Sequence, residues 1–565
     1  MAGPRKSATD SLQTARLEWQ AGEYRGRIER RLAAWEESSL LTRLWDKDPT
    51  IWFPDPRPEL SDRLGWLELP GRMLSLLPEW ADLGERVKYE GYEHVVLLGM
   101  GGSSLAPEVY AGILGRAPGF PELHVLDSTH PDEIRALEKR IRPERTLFLV
   151  SSKSGTTLET LSLFRYFWSR LQDLGGKAAD RFAAVTDPGS ALEVLARERG
   201  FRKVFLSPPD VGGRYSALAP FGLVPAALMG LDVRELLASG AQAARAHSPG
   251  TPPARASGAV LGAVLGEPAG ERNKVTFLAS ESLNAFTPWL EQLIAESTGK
   301  DGRGILPVVD ETAAAACTAA HERIFVFMTL EGDRYMALDS LAGDMEKAGH
   351  PVVRLHLDSR IQIASEMFNW EVGTALASSI LGVHPFDQPD VQLSKELTGR
   401  AMQEGGGEAE GVDTIPVSRT GRMGRALREF VEASVPGGYF TVQAFLPGSL
   451  ETREALREVR ERLQALTGLA GTLGFGPRFL HSTGQLHKGG PPGGLSLQLV
   501  DEPESDLPVP ETDYSFARLI GAQSLGDYHA LRRQGRTVMR LSLGRDRLRG
   551  LEELTGALGK IPLGD

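Results

Sequence analysis

Five hydroxyls and one ammonium crowd into seven consecutive residues: Ser151, Ser152, Lys153, Ser154, Gly155, Thr156 and Thr157. An apolar β-type run ends at Val150, and a helical pattern begins at Leu158. The first turn of a helix presents free backbone N–H groups and a positive dipole end, both suited to an oxyanion. Hydroxyls placed there add donors for the three non-bridging oxygens of a phosphate, and Gly155 permits close backbone approach. An ordinary helix cap needs one hydroxyl, so this density points to a phosphate held by Ser152, Lys153, Ser154, Thr156 and Thr157. A second strand-to-helix turn, Leu-Leu-Gly-Met-Gly-Gly-Ser-Ser from Leu97, offers Gly102 and Ser103. Ser104 stands where a dinucleotide fingerprint has its third glycine, and no Gly-Lys-Ser/Thr of a nucleotide P-loop is present. The two turns together favour a small phosphorylated metabolite over a nucleotide.

Such turns need a sheet behind them. From residue 91 short apolar runs alternate with helical stretches: His94 to Leu98, Leu123 to Leu126, Thr146 to Val150, Phe182 to Thr186 and Lys203 to Leu206. Strands apolar on both faces and separated by helices predict a parallel sheet covered on both sides. Ligands of such sheets bind at the carboxyl ends of the strands, where both turns fall. A Pro-, Ala- and Gly-rich passage, 246–258, reads as a boundary. A second alternating unit follows, with strand candidates at Lys274 to Leu278, Arg323 to Thr329 and Pro351 to His356. A Gly- and Glu-rich loop, 403–412, separates it from a tail with strand candidates at Gly438 to Phe445 and Leu495 to Leu499. Between those two lies an amphipathic helix whose Arg/Glu side reads as a solvated face. Residues 11–35 and 64–83 carry helix-like spacing. The expected organisation is a helical segment (1–90), a first α/β unit (91–245), a second (258–402), and a C-terminal α/β part (413–565) that completes the second.

Composition sets the outer limits. The 565 residues include 41% hydrophobic and 24% charged types, ordinary for a globular protein. Sixty-three basic against 74 acidic residues give a net charge of −11, which disfavours nucleic acid as a partner. No apolar stretch reaches the roughly 18 residues of a membrane span, and the N-terminus lacks the apolar centre of a secretory signal. A cytoplasmic location is expected. The one cysteine, Cys317, excludes a disulfide framework. After four alanines it reads as a small buried hydrophobe.

Four motifs in order resemble the glucose-6-phosphate isomerases: GMGGSS at Gly99, SSKSGTTLET at Ser151, GGRYSALAPFGLVP at Gly212 and ESTGKDGRG at Glu296. They look closest to the isomerase portion of bifunctional transaldolase/glucose-6-phosphate isomerase chains, although no transaldolase half is recognisable. The resemblance runs from about residue 91 to about 560. It implies an α/β fold of two sugar-isomerase (SIS) domains, doubly wound with mainly parallel sheets. It also implies interconversion of glucose 6-phosphate and fructose 6-phosphate by proton transfer, without metal or other cofactor.

That reaction needs one base to move a proton between adjacent carbons, and positive charge beside the developing enediolate. By resemblance Glu296 is the base and Gln292 a substrate contact. The spacing of the two residues puts both on one helical face, with Gly299 ending the helix. On residue type alone Glu296 reads equally as a solvated glutamate. Arg214, after Gly212 and Gly213, matches the family's enediolate-stabilising arginine, with Gly213 at the substrate; a structural salt bridge is the other reading. The family opens the sugar ring with a lysine and a histidine. PFDQPDVQLSKELT, from Pro385, places Lys395 in the first role, with Asp390 as a candidate helix cap. The family's Gly-Gln-His element is absent between Glu296 and Lys395. The later segment HSTGQLHKGG makes His487 the first choice and His481 the second.

Two other readings stay open on sequence: a non-catalytic sugar-phosphate sensor, and an SIS isomerase that also accepts mannose 6-phosphate. The family is often a homodimer that supplies the histidine across the interface. The changed motif order leaves open a chain that completes its own site.

Overall fold

A computed structural model describes residues 14–175, 177–317, 320–403 and 412–562. The chain enters not as a helix but as a strand, β1 (Arg16–Gln20), paired antiparallel with Val352–Leu357. Polar Arg16, Glu18 and Gln20 alternate there with half-buried Leu17 and Trp19. That period of two outweighs the looser helical spacing read across 11–35. Helix Arg25–Glu37 follows; Leu64 to Leu83 is a series of short turns leading into helix Leu77–Tyr89.

The first α/β unit consists of β2 (His94–Gly99), β3 (Glu122–Leu126), β4 (Thr146–Ser151), β5 (Phe182–Thr186) and β6 (Lys203–Leu206). They form one parallel sheet in the order β3-β2-β4-β5-β6. Alternate residues feed two cores: Leu97, Leu149 and Val185 on one face, and Val96, Phe148 and Ala184 on the other. Burial on both faces is why these strands read as unbroken apolar runs.

The second unit contains β7 (Lys274–Ala279), β8 (Leu306–Val308), β9 (Arg323–Leu330) and β10 (Val352–Leu357), in the order β1-β10-β9-β7-β8. Its central helix, Ile363–Leu381, is buried along most of its length against helix Ser257–Gly266. Close approach there depends on glycine: a Cβ on Gly262 would sit 2.8 Å from that of Leu376.

Residues beyond 412 do not extend that second sheet. They build a third, from β11 (Thr414–Pro416), β12 (Tyr439–Phe445), β13 (Ala470–Phe475), β14 (Gly494–Val500) and β15 (Thr537–Ser542). Its order is β11-β15-β14-β12-β13, all parallel, over a core of its own. Only β12 and β14 carry the long apolar runs that sequence reading detects. The helix between β12 and β13, Leu450–Thr467, is not solvated all along its charged side. Arg460 is buried and donates to the carbonyls of Val309 and Asp310, and Gln464 donates to Glu311. These contacts dock the third unit on the second.

Cys317 is exposed rather than buried. It lies just past the end of the short helix Ala313–Ala316, and its thiol donates to the Ala313 carbonyl at 3.3 Å. No helix among the described residues is long and apolar enough to cross a membrane.

Candidate functional site

The hydroxyl cluster sits at the carboxyl end of β4, where the strand turns into helix Leu158–Asp173 with Thr157 at its cap position. Gly155 adopts φ +70°, and a Cβ there would lie 2.1 Å from the Leu192 amide nitrogen, so only glycine fits. The turn is wound on its own hydroxyls. Ser152 Oγ lies 3.0 Å from Thr157 Oγ1 and accepts from the Gly155 amide at 3.1 Å; Ser154 Oγ lies 2.9 Å from Thr156 Oγ1. Lys153 departs from the expected arrangement, because its ammonium is engaged by Asp187.

The glycine turn after β2 lies alongside. Ser151 donates to the Ser103 carbonyl at 2.9 Å, tying the two turns together. A Cβ on Gly102 would fall 2.2 Å from the Gly213 carbonyl carbon, so the loop carrying Arg214 rests directly on this turn. Gly101, at φ +53°, would place a Cβ 2.5 Å from the His481 carbonyl oxygen and 2.9 Å from Gln292 Nε2.

Glu296 and Gln292 lie on helix Thr287–Thr298, which Gly299 caps, and both are buried. Gln292 Nε2 donates to Glu296 Oε2 at 3.0 Å and to the His481 carbonyl at 2.9 Å. Arg214, buried as well, ion-pairs with Glu296 Oε1 at 3.1 Å. Its other donors reach Ser297 Oγ (2.8 Å), the Pro385 and Asp387 carbonyls (2.6 and 3.0 Å) and Gln388 Oε1 (3.2 Å). The two sequence readings of Arg214 therefore coincide: its salt bridge is to the candidate base.

His481, not His487, is the histidine at this site. Its Nε2 lies 2.8 Å from Glu159 Oε1, on the first turn of the helix that starts at the hydroxyl cluster. Gln523 Nε2 donates to the same Glu159 oxygen at 2.7 Å, and Thr129 Oγ1 donates to Gln523 at 2.7 Å. Burial pushes the Glu159 carboxyl up, but the neighbouring His481 imidazole, with Lys395 contributing, outweighs it and holds the group below its ordinary value. His487 lies six residues on, in the short helix Gly484–Gly489, buried against the Tyr439 ring, with Nε2 3.4 Å from Thr441 Oγ1. Its Nδ1 has no hydrogen-bond partner among the described residues. Burial drives its pKa down to about 3, so it stays neutral. The Gly-Gln spacing favoured His487, whereas the fold turns the chain so that 481 faces the cleft.

Lys395 is exposed on helix Pro389–Gln403, close enough to Glu159 to act on its charge. Asp390 does not cap that helix. It lies in the first turn, where its carboxylate accepts from Gln485 at 2.6 Å and Gln534 at 2.8 Å. The third unit is held over the first by Arg478, which pairs with Glu108 and, at 3.0 Å, with Asp127.

Sequence reasoning passed over Glu159, Gln388 and Lys300, although all three stand inside or beside the motifs it used. Lys300 is buried, with its ammonium 2.9 Å from Asp387 Oδ1 and donating to the Ser297 and His384 carbonyls. It fastens the turn after Glu296 to the 384–388 loop that holds Arg214. Burial, then the nearby Arg214, lowers its pKa from 10.5 to about 8. Between those values the unfolded chain holds a proton that the folded one has released, so raising the pH through that window favours folding. Lys300→Met is therefore expected to remove a stability gain on the order of 3 kcal/mol between pH 8 and 10.5. Denaturant unfolding of both proteins across that range checks it; parallel pH profiles would show that Lys300 is not the source.

A family model for phosphoglucose isomerase matches residues 79–315. The glucose-6-phosphate isomerase of Rubrobacter xylanophilus is 30% identical over 395 residues, covering 61% of this chain and 90% of that relative. The enzyme of the same name from Parabacteroides distasonis is 29% identical, over 62% of this chain and 89% of the relative. Among solved structures, a hypothetical protein from Thermus thermophilus superposes with TM-score 0.59 at 25% identity, over 68% of this chain and 100% of that one. A glucose-6-phosphate isomerase from Chlamydia trachomatis shares the fold, with TM-score 0.52 at 20% identity over 71% of this chain and 89% of that one.

Proposed function

We propose, from the premise that this chain belongs to the glucose-6-phosphate isomerase family and interconverts glucose 6-phosphate and fructose 6-phosphate, the following division of work among its residues. The 6-phosphate sits among Ser152, Ser154, Thr156 and Thr157, with the Gly102–Ser103 turn beside it. Lys153 acts from behind, through Asp187. Lys395 and His481 move protons between ring oxygen and anomeric hydroxyl to open the sugar, and Glu159 holds the imidazole. Glu296, steadied by Gln292, takes the C2 proton of the open-chain aldose, and the C–H electrons form the C1–C2 double bond of an enediolate. Arg214 stabilises the negative oxygen. Glu296 then returns the proton to C1 as the C2 carbonyl forms. Hydrogen moves within one molecule, so the scheme calls on no external oxidant or reductant.

The observation that carries this reading is a continuous run of contacts. It passes from Glu159, two residues beyond the hydroxyl turn, through His481 and Gln292 to Glu296 and Arg214. Every group comes from one chain. We therefore place no second subunit in the site, and a homodimer, if formed, is not needed to complete it. A phosphorylated hexose is a dianion that does not cross membranes unaided, which fits work in the cytoplasm.

Pure protein supplied with fructose 6-phosphate should form glucose 6-phosphate, read by a coupled dehydrogenase; absence of turnover would leave only a sugar-phosphate sensor. Mixing Glu296→Gln with His481→Ala protein should restore no activity. Recovery on mixing would mean that the histidine is supplied from another chain.

A further inference from the structure

At the opposite, amino-terminal end of the first sheet, three potential metal ligands converge. His94 opens β2, and Glu122 and His124 lie two residues apart on the edge strand β3, with His94 in register with Glu122. Side chains two apart share a face of a strand, and a directly opposed partner lies within reach of both. His94 Nδ1 is 3.0 Å from His124 Nε2, and His124 Nε2 is 4.0 Å from a Glu122 carboxylate oxygen. One ligand atom from each residue falls within 4.8 Å of the others. Two nitrogens sharing a tetrahedral zinc at about 2.0–2.1 Å stand roughly 3.3 Å apart, so the imidazole pair needs to open by only a few tenths of an ångström.

We propose that His94, Glu122 and His124 bind a divalent transition-metal ion of the Zn2+ class, with water completing the coordination. Imidazole nitrogen and carboxylate oxygen are the donors such an ion takes. The imidazoles are available as neutral ligands, since burial lowers both, His124 to about 4. The ion would pin the edge strand to its neighbour on the side of the sheet away from the catalytic cleft. The surrounding cations oppose it unequally. Arg142 is already taken by Glu93. Arg140 is the obstacle: its guanidinium lies 3.5 Å from His124 Nδ1 and 3.9 Å from Glu122. It is largely exposed, so it is free to swing outward when the metal arrives.

The test is titration of metal-stripped full-length protein with Zn2+ alone, followed by calorimetry and by the rise in Tm. One equivalent is expected per chain. Losing a ligand should cost at least what losing an outer-shell partner costs, roughly 10–100-fold in affinity, in both His94→Gln and His124→Gln. The exposed Glu122→Gln should weaken binding without risk to the fold. Arg140→Gln should tighten it, and His321→Gln, at a distant exposed histidine, should change nothing. Isomerase activity should be untouched in all five variants, so failure of this site leaves the catalytic reading standing. Absence of a saturable equivalent, or an equivalent retained by the His94, Glu122 and His124 variants, would overturn the proposal.

Discussion

Glu296→Gln is expected to lower kcat by about a thousandfold or more, near the upper part of the range for general acid–base catalysis, with 6-phosphate ligands still bound within a few-fold. The amide preserves shape and still accepts from Gln292, but has no basic oxygen to take a carbon-bound proton. Arg214 does not lose its place, because four further partners (Ser297, Pro385, Asp387 and Gln388) hold the guanidinium. The hydroxyl turn is built from β4 and its own helix cap and does not lean on Glu296, so phosphate affinity should survive. Initial rates with fructose 6-phosphate, together with direct titration of a six-carbon acid phosphate, separate the two quantities. Near-normal turnover would remove Glu296 from the chemistry; loss of binding along with turnover would mean that it serves the pocket's structure.

The second large effect concerns the two histidines. His481→Gln should cost about a hundredfold or more in kcat on the ring-closed sugar, and far less on an open-chain analogue that needs no ring opening. His487→Gln should leave the ratio of those two rates unchanged, because His487 packs on Tyr439 inside the third unit and is uncharged at any pH where the enzyme works. Comparing closed and open substrates within each variant cancels any loss of folded protein. A ratio that shifts in the His487 variant and not in the His481 variant would reverse the assignment.

Much of this was legible in the amino-acid order because the relevant signals are local. A run of hydroxyls between a strand and a helix is wound on itself, so its residues announce the turn they make. Gln292 and Glu296 share a face through helical periodicity alone. The β2–β6 strands are buried on both sides and read as apolar runs wherever they occur. The signals that misled are the weak ones. β1 is five residues long with only Leu17 and Trp19 facing inward, and three of the five tail strands are too short or too glycine- and polar-rich to stand out.

Long-range placement decided the rest. Residues 413–562 gathered into a sheet of their own, because β12 and β14 found partners in β11, β13 and β15 rather than at an edge of the second sheet. That sheet carries the segment after β13 across to the first unit, where Arg478 locks it down and His481 meets Glu159, 322 positions earlier in the chain. No periodicity encodes such a meeting. His481 and His487 are six residues apart and chemically identical, and only the docking of one α/β unit on another turns one toward a carboxylate and the other into an apolar wall.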